Sequence, residues 1–275
     1  MTLAHGAHGT SSGALVLVTA SAVVGAGYAV LAWRRRREPR GWGAWRTISF
    51  LAGIALLVLA VLPFMSPWPV GDLRGHMLQH LIIGMLAPIG LVLGAPLTLI
   101  LRTVPRRWGR RIGRLLHTRP VRVLVHPVTA LMLTVGGMVA LYCTPLHQVA
   151  TDGSVVHHLT HAHLLTAGYL FAWTIAGPDP APRRPSVPTR LVVLGVAILA
   201  HAVVSQLLYA GLVGGPIPAP ERRGAAELMY YGGDIAEIML ALAILTTWRP
   251  RRGPTARVRA AAASDGRNVG SVVRQ

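Results

Sequence analysis

"HMLQHLIIGMLAPIGLVLGAPLTLIL", residues 76–101, contains no Asp, Glu, Lys or Arg. A helix crossing a bilayer core needs about 20 mostly apolar residues. The stretch is long enough and apolar enough to be such a helix. Pro88 and Pro96 interrupt it. Proline is tolerated in a membrane helix where neighbours satisfy the freed carbonyls. The last part, "LVLGAPLTLIL" (91–101), reads either as a kinked continuation or as an interfacial piece.

The rest of the chain repeats this pattern. Of 275 residues, 52% are hydrophobic and only 13% charged, against about 25% charged in a soluble domain. Apolar segments lie near 13–33, 46–64, 76–101, 126–144, 157–177, 190–212 and 226–248. The expected fold is all-α: a polytopic membrane protein built as a seven-transmembrane helix bundle. Residues 1–12 are expected to form an extracytoplasmic tail and 13–248 the membrane domain. Residues 249–275 read as a cytoplasmic, arginine-rich, disordered tail.

The net charge is +18, and all 27 basic residues are arginine. They gather in short blocks between apolar runs, and no basic stripe is interleaved with aromatics, so no nucleic-acid partner is expected. Without lysine there is no Schiff base, which excludes a retinal protein. The single cysteine, Cys143, excludes an intramolecular disulfide and a C-x-x-C metal motif.

Arginine placement sets the orientation. "RRRREPR" (34–40), "RTVPRRWGRRIGRLLHTRPVR" (102–122), "PAPRRPSVPTR" (180–190) and "RPRRGPTARVR" (249–259) alternate with arginine-poor loops. Arginine-rich loops stay in the cytoplasm. The N-terminus is therefore expected outside, the C-terminus inside, and the protein multi-pass in a bacterial plasma membrane. "MTLAHGAHGTSSG" (1–13) has no positive n-region, so the first span reads as a retained anchor. Trp33, Trp45, Trp68 and Trp248 read as interface anchors.

On this topology nine of the twelve histidines fall on the outer side or in the outer half of a span. These are His5, His8, His76, His80, His147, His157, His158, His161 and His163. His76 and His80 are four residues apart, about 40° on a helical wheel, and share a face with Met77 nearby. In "HHLTHAH" (157–163), His157, His158 and His161 share a face, whereas His163 lies about 120° away from His157. Tyr230, Asp234 and Glu237 lie within about a third of the circumference of the seventh span. The third, fifth and seventh spans all run from outside to inside, so their ligand-type faces can converge at one depth.

An ionisable residue within a membrane is a functional candidate by default. Each element also has a plainer reading. Outer-end histidines can be solvated at the interface. His5 and His8 fit a solvated tail. His201, Ser205, Gln206 and Tyr209 fit interhelical hydrogen bonding. Met65, Met85, Met229 and Met239 fit core filling, and Cys143 a packed thiol. Imidazole suits copper, iron and zinc, and thioether adds a preference for Cu(I). A haem between two histidines is chemically allowed as the alternative. Outward-facing boxes and few carboxylates argue against a membrane di-iron oxygenase, and no H-E-x-x-H is present.

"GHMLQHLIIGMLAPIGLVLGAPLTLIL" (75–101) resembles the signature of the CtaG family of membrane proteins, linked to assembly of caa-type cytochrome c oxidase. "HLTHAHLLTAGYLFAWTIAGPDPAPRRPSVPTRL" (158–191), "LYAG" (208–211) and "YYGGDIAEIMLALAI" (230–244) are similar to its other segments. The resemblance covers roughly residues 45–248. It implies a plasma-membrane assembly factor that is not an enzyme. It also implies copper delivery to the oxidase's copper centres, with haem–copper oxidase subunits, an extracytoplasmic copper chaperone and the lipid bilayer as partners. By position His76, Met77 and His80 match the first motif, His161 and His163 the second, and Asp234 the acidic position of the last span. Many members have a D-Q pair there, followed by Gly-Gly and Met-Trp, where this chain has "GGDIAEIML" (232–240).

The expected metal residues are therefore His76, Met77, His80, His157, His158, His161, His163 and Asp234, supported by Tyr230, Glu237, His147 and His201. The expected cargo is copper, as Cu(I) if Met77 participates, with haem as the alternative cofactor. A haem-binding redox protein, a copper transport or resistance protein without an oxidase role, and a metal-free scaffold are the competing functions.

Overall fold

In a computed structural model, the described residues are 6–39, 41–62, 67–69, 71–144, 146, 155–182 and 184–247. His5, Met65, His147, Trp248 and the 249–275 tail lie outside them, as does the side chain of His8. The described chain is helical, with no strand among the described residues.

Local chemistry sets the helix ends. Helix α1 (Gly6–Arg36) begins earlier than the expected boundary at 13 and stops in the arginine block before Pro39. Helix α2 (Ala44–Ala60) follows the extended Gly43. Asp72 caps α3 (Leu73–Leu81) by accepting from the Arg74 N–H at 2.8 Å. A π-helical turn, Ile82–Leu86, joins α3 to α4 (Ala87–Leu93). Ala95, at φ 52°, breaks the chain before α5 (Pro96–Thr103). Helices α6 (Arg106–Leu116) and α7 (Arg119–Leu124) are short. His126 caps α8 (Pro127–Cys143) through its ring, with Pro127 opening the helix. Helices α9 (Val155–Ala176), α10 (Val187–Ala210) and α11 (Ala219–Thr247) complete the order. Gly211, at φ 79°, ends α10 in the left-handed region.

Among the described residues, four segments are long and apolar enough to cross a membrane: Leu15–Arg36, Leu73–Thr103, Val187–Ala210 and Ala219–Leu245. Seven were expected. Ala44–Ala60 and Pro127–Cys143 are apolar but have 17 residues each, about 26 Å against a hydrocarbon core of about 30 Å. Val155–Ala176 has 22 residues, but its first turns carry four histidines. The third expected span is a continuation broken twice, at the π turn and at Ala95.

That broken rod, α3–π–α4, is the centre of the bundle. It packs on α2, α9 and α11, while α10 packs on α8 and α11, and α1 on α2. Pro88 has no N–H to give the Gly84 carbonyl four residues earlier. The Gly84 oxygen lies against Gly168 of α9, where an added Cβ would collide with it. On the opposite side, Gly90 approaches the Ser49 carbonyl and Gly53 of α2, and Ser49 Oγ donates to the Gly90 oxygen at 3.0 Å. Small residues bringing backbones together are the usual device of helix packing in lipid.

The break at Ala95 is satisfied by side chains. Tyr28 donates to the Gly94 oxygen at 2.6 Å. Asp179 is 2% exposed and accepts from the Leu97 and Thr98 N–H groups at 3.0 and 2.7 Å. It thus caps α5 from the loop after α9. Arg184 in turn donates to the Asp179 carbonyl at 2.8 Å.

Gly168→Ala is expected to destabilise the protein by about 1–3 kcal/mol through overpacking. Gly195→Ala, where an added Cβ meets nothing within 4 Å, is expected to be neutral or stabilising by up to about 1 kcal/mol. Thermal unfolding of both variants in detergent checks the contrast.

Candidate histidine site

Helices α3, α9 and α11 meet at their N-terminal ends. Glu221, in the first turn of α11, accepts from the Leu73 N–H at 2.7 Å. The π turn packs on α9, and the imidazoles of α3 and α9 become neighbours. His76 and His161 have ring centroids 6.3 Å apart and planes 29° from parallel. His157 stands over His161 with centroids at 4.3 Å and nearly perpendicular planes. His157 and His158 are 5.6 Å apart. His158 is exposed and His157 half-buried, whereas His76 is buried. The series His158–His157–His161–His76 therefore descends from solvent-exposed helix surface into the packed interior.

His80 lies one turn below His76 and is buried. Its Nδ1 is 2.7 Å from the Tyr142 hydroxyl of α8, and the two rings stack 5.5 Å apart. Tyr142 also lies 6.3 Å from His76, edge-on. Below His80 sits a cavity of about 50 Å³, lined in part by His80, Met85, Met138, His163, His201 and Glu237. His201 Nδ1 is 3.2 Å from Glu237 Oε1, and both residues are buried. The ring of His201 fits only because residue 233 is glycine; a Cβ there would collide with it. Gly137 makes the same room for His163, whose Nε2 donates to the Leu133 carbonyl of α8 at 3.2 Å.

The expected residues thus divide. His76, His157, His158 and His161 form one series, as the helical wheel implies. His163 turns to α8, away from that series. Met77 is fully buried in an apolar cluster with Leu73, Met138, Leu208 and Met229. Asp234 is half-buried and does not line the cavity, whereas Glu237 does. Tyr230 packs edge-on against Tyr231 at 5.3 Å. Tyr142 was not singled out from the sequence. The signal available was an aromatic hydroxyl near the outer end of an apolar span, where it needs a partner.

Among the described residues, no three His, Cys, Asp or Glu side chains are grouped so as to hold one metal ion. The donors fit a low-coordinate soft cation better than one needing four ligands. His161 Nε2 is buried without a hydrogen-bond partner among the described residues, and an imidazole nitrogen in that condition is a lone pair or N–H without its usual compensation. Two-ligand imidazole binding is compatible with Cu(I), for which thioether and imidazole are suitable donors.

The mouth is held by charge. Arg74 bonds Asp72 at 2.6 Å and lies over the Trp68 ring at 5.4 Å. The Arg74 guanidinium holds the Asp72 carboxyl below its ordinary range.

A model of the family described as cytochrome c oxidase caa3 assembly factor matches residues 26–251. Uncharacterized proteins of Mycobacterium bovis and Mycobacterium tuberculosis are each 35% identical to the chain over 185 residues, covering 64% of it and 28% of theirs. An uncharacterized Mycobacterium leprae protein is 34% identical over 179 residues, covering 61% of this chain and 27% of its own. The chain therefore corresponds to only about a quarter of these relatives' length. No solved structure matches it.

Two measurements bear on the site. Tyr142→Phe leaves buried His80 Nδ1 without its partner and is expected to cost about 1–3 kcal/mol in detergent unfolding. A carboxyl with a lowered folded pKa stabilises above its unfolded value of about 3.9 and loses that contribution as pH falls through the folded value. Wild-type stability is therefore expected to fall towards that of Asp72→Asn as pH drops below about 4.

Proposed function

The chain belongs to the cytochrome c oxidase caa3 assembly factor family, and from that premise we propose that it serves the oxidase by binding copper at its outer histidines and handing it on. In this reading the apolar helices form seven spans of a bacterial plasma membrane, N-terminus outside. The two 17-residue helices and the histidine-bearing α9 cross together with the four longer segments, sheltered by their neighbours. Residues 1–12 and 249–275 flank the membrane domain on opposite sides. The joined ends of α3, α9 and α11 then face the extracytoplasmic side, where the oxidase's copper centres are filled. The protein works as a carrier and not as an enzyme. Its partners are oxidase subunits and an extracytoplasmic copper donor.

The observation that carries the proposal is the graded series His158–His157–His161–His76. A carrier must both take up and release its cargo. A rigid four-ligand site would hold copper too well, while a row of imidazoles with centroid spacings of 4.3–6.3 Å offers successive low-coordinate positions. Copper is the cargo here, and the side chains supply the rest. His158, exposed at the outer end, makes first contact. His157 sits between it and His161. His161 Nε2, buried without a hydrogen-bond partner among the described residues, gains a ligand when copper arrives. The burial of His76 favours a monovalent over a divalent ion, because the desolvation penalty rises steeply with charge.

Copper measured on purified protein after anaerobic loading with Cu(I) tests the proposal. His161→Ala is expected to lose copper and to lower oxidase activity when it replaces the wild type in cells. His163→Ala, turned towards α8, is expected to retain copper. A Soret band in the purified protein would favour the haem alternative, and full copper uptake by His161→Ala would overturn the outer site.

A further inference from the structure

Below the outer series, the cavity between the π turn, α8, α9, α10 and α11 carries a donor set of a different kind. Its wall contains two thioethers, Met85 and Met138, and the His201 imidazole. His201 is 6% exposed and Glu237 4%. The carboxylate accepts from His201 Nδ1–H at 3.2 Å. For a neutral imidazole beside an ionised carboxylate, which can only accept, that bond fixes the tautomer. It leaves Nε2 as the lone-pair nitrogen, and among the described residues Nε2 is buried with no hydrogen-bond partner. A carboxylate bonded to one ring nitrogen, with the other nitrogen presented bare, is the recurrent arrangement behind metal-ligating histidines.

The plain alternative is interhelical hydrogen bonding between α10 and α11. It accounts for the His201–Glu237 bond. It does not account for a buried Nε2 with no hydrogen-bond partner among the described residues, on a side chain that lines the cavity. At about 50 Å³ the cavity has room for an ion or a water or two. His80, His163 and Thr134 also line it, and the rest of the lining is apolar, including Leu164, Ala167, Phe171 and Leu240. Thioether and imidazole together select a soft monovalent ion, and the Glu237 carboxylate offsets one positive charge.

We propose that this cavity is a second Cu(I) site, with His201 Nε2, Met85 and Met138 as ligands and Glu237 as the residue that positions His201. It rests on the reading of the chain as a copper carrier, and differs from the outer site in using sulfur. His80, which lines the cavity and lies one turn below His76 on α3, stands between the two. The chain then holds copper at two depths: an imidazole position open to the outside and a sulfur-containing position inside the bundle.

The test is anaerobic titration of the purified full chain with Cu(I) against a chromophoric Cu(I) chelator, with X-ray absorption at the copper edge. Wild type is expected to bind a second equivalent and to show copper–sulfur scattering. Met85→Leu/Met138→Leu, which conserves volume, is expected to lose that equivalent and the sulfur signal while keeping the outer copper. Glu237→Gln is expected to weaken the inner equivalent by about 10–100-fold. His161→Ala should do the converse of the methionine variant, removing the outer copper and keeping the sulfur signal. Copper stoichiometry and sulfur scattering unchanged in Met85→Leu/Met138→Leu would overturn the inner site. Loss of copper in that variant with none lost in His161→Ala would overturn the outer site alone, so the two readings fail separately.

Discussion

A missing hydrogen sets the geometry of the bundle. Pro88 cannot donate to Gly84, and the helix before it widens into a π turn at Ile82–Leu86. The widened turn presents the Gly84 oxygen to Gly168 at backbone distance. Everything above that contact inherits its spacing. His76 and His80 sit on α3 just before the turn, and His161 sits two turns before Gly168. The closeness of the imidazoles on the two helices follows from a glycine–glycine contact several residues below them. A bulkier residue at 168 would part the rings before it touched any of them.

The same economy recurs at the second pair of helices. Gly233 makes room for His201, and Glu237, one turn further on the same helix, receives the proton side of that ring. Space and charge for one histidine thus come from positions four apart on α11. Glycine sets both polar levels of the bundle, through a glycine–glycine contact at the outer one and through Gly233 against the His201 ring at the inner one. Tyr142 and His80 lie between those levels and join α8 to α3.

Much of this could be read from the sequence. The histidine spacings placed His76 with His80 and His157 with His161, because helical period converts spacing directly into shared faces. The wheel also separated His163 from the others, and the structure turns it towards α8. The D-P turn after the fifth apolar run was visible as a motif. Its physical meaning was not, because the α5 N–H groups that Asp179 accepts lie about 80 residues away. Met77 was drawn into the site because it lies about 60° from His80 on the wheel and matches the family motif, yet its side chain went to the apolar cluster. His201 and Glu237 were expected as supporting metal residues, but their bond to each other was not legible, since pairing between helices leaves no trace in either one alone. The number of spans was hardest to read. Composition marks apolar runs, but a 17-residue helix and a histidine-capped one cross only if their neighbours make up for length or polarity.

Helix α6, which follows the break of the rod at Ala95, has no buried residue and carries five arginines and Trp108. Arg111 lies 4.7 Å over the Trp108 ring. Such a helix has only its surroundings to rest on, and beside a bilayer those are headgroup phosphates.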